Sequence, residues 1–183
     1  MKKQIIYIIL IILLIFLFYK ILLLINNKKN MEQIGEIQLT SEVFQNNQSI
    51  PLKYSCNGEN INPPLSIKNI PINTKSLTLI VDDPDAPSGN WTHWLIWNIP
   101  SETSHIETNS LPNGVIQGLN SSKNNKYDGP CPPSGTHRYF FKLYALDTIL
   151  NLKEDSKKNN LEDAMKGHIL GQTTLIGLYS KIN

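Results

Sequence analysis

After about residue 35, short apolar stretches alternate with turn-forming residues along the whole chain. Each stretch is bounded by Pro, Gly, Asn or Ser, which favour turns because they fix or relax the backbone angle φ or hydrogen-bond locally. The predicted strands are Glu36–Thr40, Ile50–Tyr54, Leu65–Lys68, Leu77–Val81, His93–Ile99, Val115–Leu119, Arg138–Leu146 and Gln172–Tyr179. Many short strands at close intervals predict a mainly β fold, an antiparallel β-sandwich or barrel.

Two segments have a more specific pattern. Arg138–Leu146 alternates strictly, and both of its faces are largely apolar, so it is predicted to be a central strand. Only Asn160–Leu170 has helical spacing, with Asn160 as the N-cap and Gly171 after its end. The sequence therefore predicts one late α-helix in an otherwise β-rich domain.

The N-terminal run Ile5 to Ile25 predicts a single transmembrane helix. Its 21 residues are apolar or aromatic except Lys20, and a helix of that length matches a hydrocarbon layer of about 30 Å. Lys20 lies near one end and can extend its amine toward the interface. A cleaved signal peptide is the main alternative, although no small-residue cleavage site follows, and a buried core helix is a third.

These features predict an N-terminal anchor over residues 1–29 and one domain over residues 30–183. Lysines flank both ends of the apolar run, so charge hardly discriminates between the two orientations. We expect a single-pass membrane protein whose C-terminal domain is exported, because single-pass anchors with short N-termini commonly have this topology. A domain facing the cytoplasm is the alternative.

The charge of the domain argues against nucleic acid as a partner. The chain has a formal net charge of +2, but from Asn30 onward 12 basic residues face 15 acidic ones, and Arg138 is the only arginine. Binding a nucleic-acid backbone requires a concentrated basic face. We therefore expect no nucleic-acid binding.

Two proline-rich stretches carry the candidate chemistry, Asp82–Trp94 and Tyr127–Tyr139. Each places a histidine, His93 or His137, next to a predicted strand. Proline and glycine can fix a loop before a ligand arrives. We interpret the two histidines and Asp83 as one site for a small phosphate-like or carboxylate-like anion.

Each member of this site has a proposed part. Both imidazoles could become partly cationic beside an anion, and Asp83 could fix a tautomer. Gly129 and Cys131 could donate backbone N–H groups, because the intervening prolines cannot. Trp91, Trp94 and Tyr139 would supply apolar walls with polar tips.

The sequence supports a catalytic site less well than an anion-binding site. Two histidines and an aspartate also suit zinc or non-haem iron. Ser88 and Ser134 lie near the histidines, but neither lies in a Gly-x-Ser-x-Gly elbow. Cys131 could act as a nucleophile only with a base such as His137. We expect no enzymatic activity and no metal or other cofactor.

Cys56 and Cys131, the only cysteines, form a candidate disulfide. In an exported domain the pair could oxidise, whereas in the cytoplasm both thiols would stay reduced. The sequence leaves both states open.

Several motifs together resemble the phosphatidylethanolamine-binding protein family, also called Raf kinase inhibitor-like proteins. The motifs similar to its two signature regions are Asp82-Asp83-Pro84-Asp85-Ala86-Pro87, Trp91-Thr92-His93-Trp94 and Gly129-Pro130-Cys131-Pro132-Pro133-Ser134-Gly135-Thr136-His137-Arg138-Tyr139. Ser55–Leu65 and the ending Leu175-Ile176-Gly177-Leu178-Tyr179 resemble the bacterial and archaeal branch. The resemblance spans about Gly35 to Lys181.

The resemblance implies an antiparallel β-sandwich in Greek-key order with an anion pocket at one edge. That pocket would hold phosphate or a phosphoethanolamine-type lipid head group. The residues implied to line it are Asp83, Trp91, His93, Gly129, Pro132, His137 and Tyr139. The alternative is a protein-interaction module that inhibits a protease or kinase through the pocket rim, with a partner that the sequence does not identify.

Overall fold

The computed structural model describes Gln4, residues 12–23 and residues 36–181. The chain divides into two compact units, Met1–Gly35 and Glu36–Asn183. The second unit contains strands β1 Gln38–Thr40, β2 Gln48–Ser49, β3 Leu65–Lys68, β4 Ser76–Asp83, β5 Trp91–Pro100, β6 His105–Ile106, β7 Ile116–Gln117, β8 Thr136–Leu146 and β9 Ile169–Ser180, with helix α1 Lys158–Met165.

These strands form two sheets. The small sheet has the order β1-β3-β6 and the large sheet the order β2-β9-β8-β4-β5-β7. The prediction that the Arg138–Leu146 strand is central is confirmed, because β8 lies between β9 and β4. The sheets are antiparallel except for one pair, since β2 runs parallel to β9.

A hydrophobic core on each face of the large sheet holds the domain together. On one face, Val81, Trp94 and Phe141 pack with Leu39 and Ile67 of the small sheet. On the other, Ile80, Leu95 and Trp97 pack with Leu161 and Met165 of α1. Burial of both faces explains why β4 and β8 read as nearly continuous apolar runs.

Two predicted elements are wrong in part. Ile50–Tyr54 was expected to be a strand, but β2 ends at Ser49 and Leu52–Tyr54 form a 3-10 turn after Pro51, since proline fixes φ and cannot donate to a ladder. The helix predicted for Asn160–Leu170 begins at Lys158 and ends at Met165. Gly167 has a positive φ of 80°, which ends the helix and lets β9 begin at Ile169.

The predicted transmembrane helix Ile5–Ile25 falls only partly within the described residues. Residues 12–23 are helical, and their large apolar side chains are exposed. Residues 5–11 and 24–25 lie outside the description. Among the residues searched, no helix is both long and apolar enough to cross a bilayer.

Candidate functional site

A cavity of about 390 Å³ lies at the edge of the large sheet where β4 ends and where β5 and β8 begin. The antiparallel pairing of β4 with both neighbours brings these three strand ends to one edge. The lining residues are Cys56, Asn60, Asp83, Ala86, Pro87, Ser88, Trp91, His93, Ser122, Asp128, Gly129, Cys131, Pro133, His137 and Tyr139.

Asp83 and His137 form a buried pair at the floor of this pocket. Asp83 is 3% exposed and His137 is 7% exposed, and His137 Nδ1 lies 2.7 Å from Asp83 Oδ2. The other oxygen, Asp83 Oδ1, accepts a hydrogen bond from the backbone N–H of Asp85 at 2.8 Å. Because a carboxylate only accepts, Nδ1 of His137 carries the proton and its Nε2 is left for another partner.

A β-bulge sets the direction of His93. Val81 pairs with Trp94 and Asp82 with Thr92, so His93 is an extra residue in β5. A bulge interrupts strict alternation and re-aims a side chain. Neighbouring residues of a strand normally face opposite sides of the sheet. Because of the bulge, His93 faces the pocket on the same side of the sheet as the core residue Trp94.

The environment of His93 fixes its tautomer and disfavours its charged form. Its Nδ1 donates to the backbone carbonyl of Asp128 at 2.7 Å. Burial lowers the pKa of His93 below its ordinary value, and the bond to the Asp128 carbonyl only partly opposes this. A neutral ring with its proton on Nδ1 has a lone pair on Nε2. Burial therefore opposes the partial positive charge that was expected for His93 beside an anion, and that expectation stays a prediction.

The segment from Tyr127 to Pro133 is attached to the preceding 51–64 segment at several points. Gly129 N–H donates to Asn60 Oδ1 at 2.7 Å, and Cys56 N–H donates to the Pro130 carbonyl at 3.1 Å. A disulfide joins Cys56 to Cys131, with Cα atoms 5.5 Å apart. A methyl group on Gly129 would lie 2.5 Å from the Tyr54 carbonyl oxygen, so the close approach requires glycine here.

These contacts change the expected backbone donors. The Gly129 N–H was expected to face a ligand, but it is already bonded to Asn60. The Cys131 N–H donates to no backbone carbonyl of the described residues and lies near the Tyr139 hydroxyl. The disulfide also removes Cys131 as a candidate nucleophile, because its thiol is not free.

Tyr139 contributes a hydroxyl to the same pocket. It is 1% exposed, and its ring packs edge-on against His93 with centroids 5.1 Å apart. Its Oη makes no well-formed hydrogen bond within the described structure, although the Cys131 N–H and Asp83 lie close enough to influence it. Burial raises the pKa of this phenol far above its ordinary value, so Tyr139 remains a neutral donor.

Six of the seven residues implied by the resemblance line this pocket. Pro132 does not; it is buried, and its neighbour Pro133 lines the cavity instead. The sequence reasoning missed Asn60, Ser122 and Asp128. Asn60 and Ser122 lie outside the two proline-rich stretches, and Asp128 lies within Tyr127–Tyr139 but was given no part in the site.

Asp85 and Arg138, each next in sequence to a residue that lines the pocket, form an ion pair. The Arg138 guanidinium contacts both carboxylate oxygens of Asp85, at 2.9 and 2.7 Å. This pairing lowers the pKa of Asp85 to about 2. Arg138 is thereby paired with Asp85, and it is not among the residues that line the pocket.

Within the part of the chain that is described, no group of three or more His, Cys, Asp or Glu residues is arranged to hold a metal ion. Ser88 lines the pocket, but neither it nor Ser134 hydrogen-bonds to a described histidine.

Known proteins match this domain over nearly its whole length. A family model described as phosphatidylethanolamine-binding protein matches residues 40–180. A UPF0098 protein of Methanothermobacter thermautotrophicus is 51% identical over 150 residues, which cover 79% of this chain and 99% of that protein. A UPF0098 protein of Chlamydia trachomatis is 43% identical over the same shares of the two chains.

Two solved structures share the fold. A putative phosphatidylethanolamine-binding protein homologue from Chlamydia trachomatis has a TM-score of 0.77 at 42% identity, covering 80% of this chain and 99% of its own. The E. coli protein YbcL, described as a new member of the mammalian family, has a TM-score of 0.76 at 27% identity, covering 81% of this chain and 100% of its own.

Proposed function

Because this chain belongs to the phosphatidylethanolamine-binding protein family, within its UPF0098 group of bacterial and archaeal proteins, we propose that it binds a small phosphate or phosphoethanolamine-type ligand in the pocket at the end of β4. The observation that carries the proposal is the meeting of His93 and His137, 44 positions apart in sequence, at one cavity. A volume of about 390 Å³ is in the range of small-ligand sites.

The donors proposed for the phosphate are His137, Cys131 and Tyr139. An imidazolium paired with Asp83 would donate through Nε2, and such charge-assisted bonds are stronger than neutral ones. The Cys131 N–H and Asp83 lie close enough to the Tyr139 hydroxyl to shift its pKa, but the hydroxyl makes no well-formed hydrogen bond to the described residues. A ligand oxygen would satisfy the buried phenol, whose isolation otherwise costs about 1–3 kcal/mol.

The test replaces His137 by asparagine. Asparagine Nδ2 takes the place of imidazole Nδ1, so the bond to Asp83 is retained and only Nε2 is lost. Loss of one charge-assisted hydrogen bond, about 1.5–3 kcal/mol, predicts a roughly 10- to 100-fold weaker Kd. Isothermal titration calorimetry with phosphate and phosphoethanolamine measures the effect.

His168→Asn is the matched control. His168 Nδ1 also lies 2.7 Å from a carboxylate, Asp147 Oδ1, but the pair is about half exposed and does not line the pocket. The control should leave the Kd unchanged. Equal affinities of His137→Asn and wild type, or no binding by wild type, would refute the proposal.

We also propose that the domain works in an oxidising compartment and is held at a membrane by Ile5–Ile25. A disulfide supports the first part, because such bonds persist outside the reducing cytosol. The length and apolar composition of the Ile5–Ile25 run support the second part. Intact cells can be labelled with a membrane-impermeant reagent that reacts with the exposed lysines of the domain. If the domain is exported it should be labelled, and if it faces the cytoplasm it should stay unlabelled.

A further inference from the structure

A second cavity, of about 430 Å³, lies at the start of α1 and shares no lining residue with the pocket at the end of β4. We call it the α1 cavity. Its lining includes Lys123, Lys157 and Lys158, and no aspartate or glutamate is among its described lining residues. The pocket at the end of β4 has the opposite composition, with two aspartates and no described lysine or arginine. The α1 cavity therefore favours a negatively charged ligand.

Two of these lysines carry charges that no described carboxylate balances. Lys123 and Lys157 are exposed, and neither forms an ion pair with a described residue. Lys158 is different, because it contacts the buried carboxylate of Asp82 and lies 3.8 Å from Glu162. The positive charge available to a ligand in the α1 cavity is therefore that of Lys123 and Lys157.

The start of α1 supplies backbone donors to the same cavity. The first hydrogen bond of the helix runs from the Leu161 N–H to the Lys157 carbonyl at 3.1 Å. The N–H groups of Lys158 and Asn159, both lining residues, make no hydrogen bond with the described residues. Such groups attract anions. Because water can satisfy them equally well, the helix start alone does not define a site.

A buried hydroxyl is the observation that points to a ligand. Thr92 is 6% exposed and lines the α1 cavity, and its hydroxyl makes no hydrogen bond with the described residues. Its backbone is already occupied by Ser121. The Thr92 N–H donates to the Ser121 hydroxyl, and the Ser121 N–H donates to the Thr92 carbonyl, both at 2.9 Å. Only the side chain of Thr92 is therefore left to contact a ligand.

Strand pairing shows that this side chain points toward the cavity. Thr92 of β5 is paired with Asp82 of β4, and directly opposed residues have their side chains on the same face of a sheet. The Asp82 carboxylate contacts Lys158 of α1, which lines the cavity. The Thr92 hydroxyl therefore lies on the α1 side of the sheet, where it can donate to an oxyanion.

We propose that the α1 cavity is a second anion site, which binds a phosphate group through the Thr92 hydroxyl, the first amides of α1 and the ammonium groups of Lys123 and Lys157. A phosphate suits these donors because it has several acceptor oxygens and more than one negative charge near pH 7. The group could belong to a free phosphate or to the phosphomonoester head group of a lipid. This site is independent of the proposed function, because the two cavities share no residue.

Lysine footprinting of the full chain tests the site. The chain is treated with an acetylating reagent in inorganic phosphate, or with phosphatidylcholine vesicles that contain phosphatidic acid, and mass spectrometry follows each lysine. Plain phosphatidylcholine vesicles are the blank. We expect one or both ligands to slow the acetylation of Lys123 and Lys157 in a saturable way, and the ligand that does so identifies the source. Lys68, exposed on β3 and outside the cavity, should react at an unchanged rate.

Thr92→Val is the deciding variant, because valine keeps the shape and removes only the hydroxyl. Loss of one neutral hydrogen bond predicts a Kd weaker by about 2- to 10-fold, taken from the concentration dependence of the shielding. Without ligand the unfolding midpoint should not fall, because the hydroxyl has no described partner. A purely structural role would show the reverse. Thr174→Val, an exposed change on β9 outside the cavity, is the matched control and should leave the Kd unchanged.

Three results would overturn the inference. These are no shielding by either ligand, equal shielding of Lys68, and an unchanged Kd in Thr92→Val, which would leave only unspecific contact with surface lysines. If Thr92→Val does not fold, the comparison of Lys123 and Lys157 with Lys68 in wild type still decides. His137→Asn should keep the shielding, so failure of this site and failure of the pocket at the end of β4 are told apart.

Discussion

At the scale of single residues, the two pocket histidines differ in their Nδ1 partners. His137 donates to a carboxylate, which can stabilise an imidazolium, whereas His93 donates to a neutral carbonyl. Two residues of one type, buried to similar extents, can therefore serve as a donor and an acceptor toward one ligand. The local partner, rather than the residue type, sets the role.

The lowered pKa of His93 makes stability depend on pH. An unfolded histidine has a pKa near 6.5, and burial lowers the pKa of His93 in the folded state. Below about pH 6.5 the unfolded chain binds a proton that the folded chain does not bind. The free energy of unfolding should therefore fall as pH drops from about 6.5 toward the folded pKa.

Urea unfolding of wild type and His93→Asn at several pH values between 7.5 and 5 checks this. Asparagine keeps a donor for the Asp128 carbonyl but does not titrate, and other groups contribute equally to both curves. Wild type should lose more stability than the variant over this range. Parallel curves would contradict the expectation.

At the scale of elements, alternation and turn residues were enough to find most strands. β3 was predicted with its exact bounds, and β4, β5 and β8 were located within a few residues. The bulge that turns His93 toward the pocket was not predictable, because it depends on how β5 pairs with β4. The strand β6 was missed, because two residues are too few to show the alternation of apolar and polar positions that marks a strand.

The site, like the fold, could be predicted from the sequence only in part. The motifs identified six lining residues, but the commitment of the Gly129 N–H to Asn60 and the pairing of His137 with Asp83 arise from contacts between segments distant in sequence. The disulfide was also open from sequence alone, because oxidation depends on whether the fold brings the two cysteines together.

The disulfide between the 51–64 segment and the Tyr127–Pro133 segment should contribute strongly to stability. It joins residues 75 apart, and the loop-entropy model predicts roughly 4 kcal/mol for such a loop, with about 2–4 kcal/mol typical. We expect the Cys56→Ser, Cys131→Ser double variant to lose about 2–4 kcal/mol of unfolding free energy. Guanidinium unfolding followed by Trp fluorescence measures the loss.

Unfolding in the presence of a reductant is the control for the comparison of wild type with the double variant. Dithiothreitol should lower the stability of wild type toward that of the double variant and leave the variant itself unchanged. Wild type and variant with the same unfolding midpoint would show that the bond adds nothing to stability.

At the scale of the whole molecule, the position of the pocket follows from the two cores. The apolar faces of β4 and β8 are covered by the small sheet on one side and by α1 on the other. The strand ends at the pocket edge are therefore held by a rigid core while the loops carry the polar groups. Asp82, on the face opposite to Asp83, extends this support by accepting a bond from Lys142 at 3.0 Å.

The domain should fold and bind without the N-terminal segment. Glu36–Asn183 form a compact unit, and a relative that is 51% identical matches 79% of this chain over 99% of its own length. We expect deletion of residues 1–29 to change the unfolding free energy by no more than about 0.5 kcal/mol, as for changes away from packed features. The Kd for phosphoethanolamine should also be unchanged.

The same deletion tests the role of Ile5–Ile25, because binding and anchorage are then measured separately. If these residues span a bilayer, the full chain should remain with membranes after carbonate extraction, and the shortened chain should be released. Release of the full chain would show that the anchor prediction is wrong while leaving the pocket untouched. A shortened chain that fails to fold would instead refute the domain boundary, since its two cores lie entirely within residues 36–181.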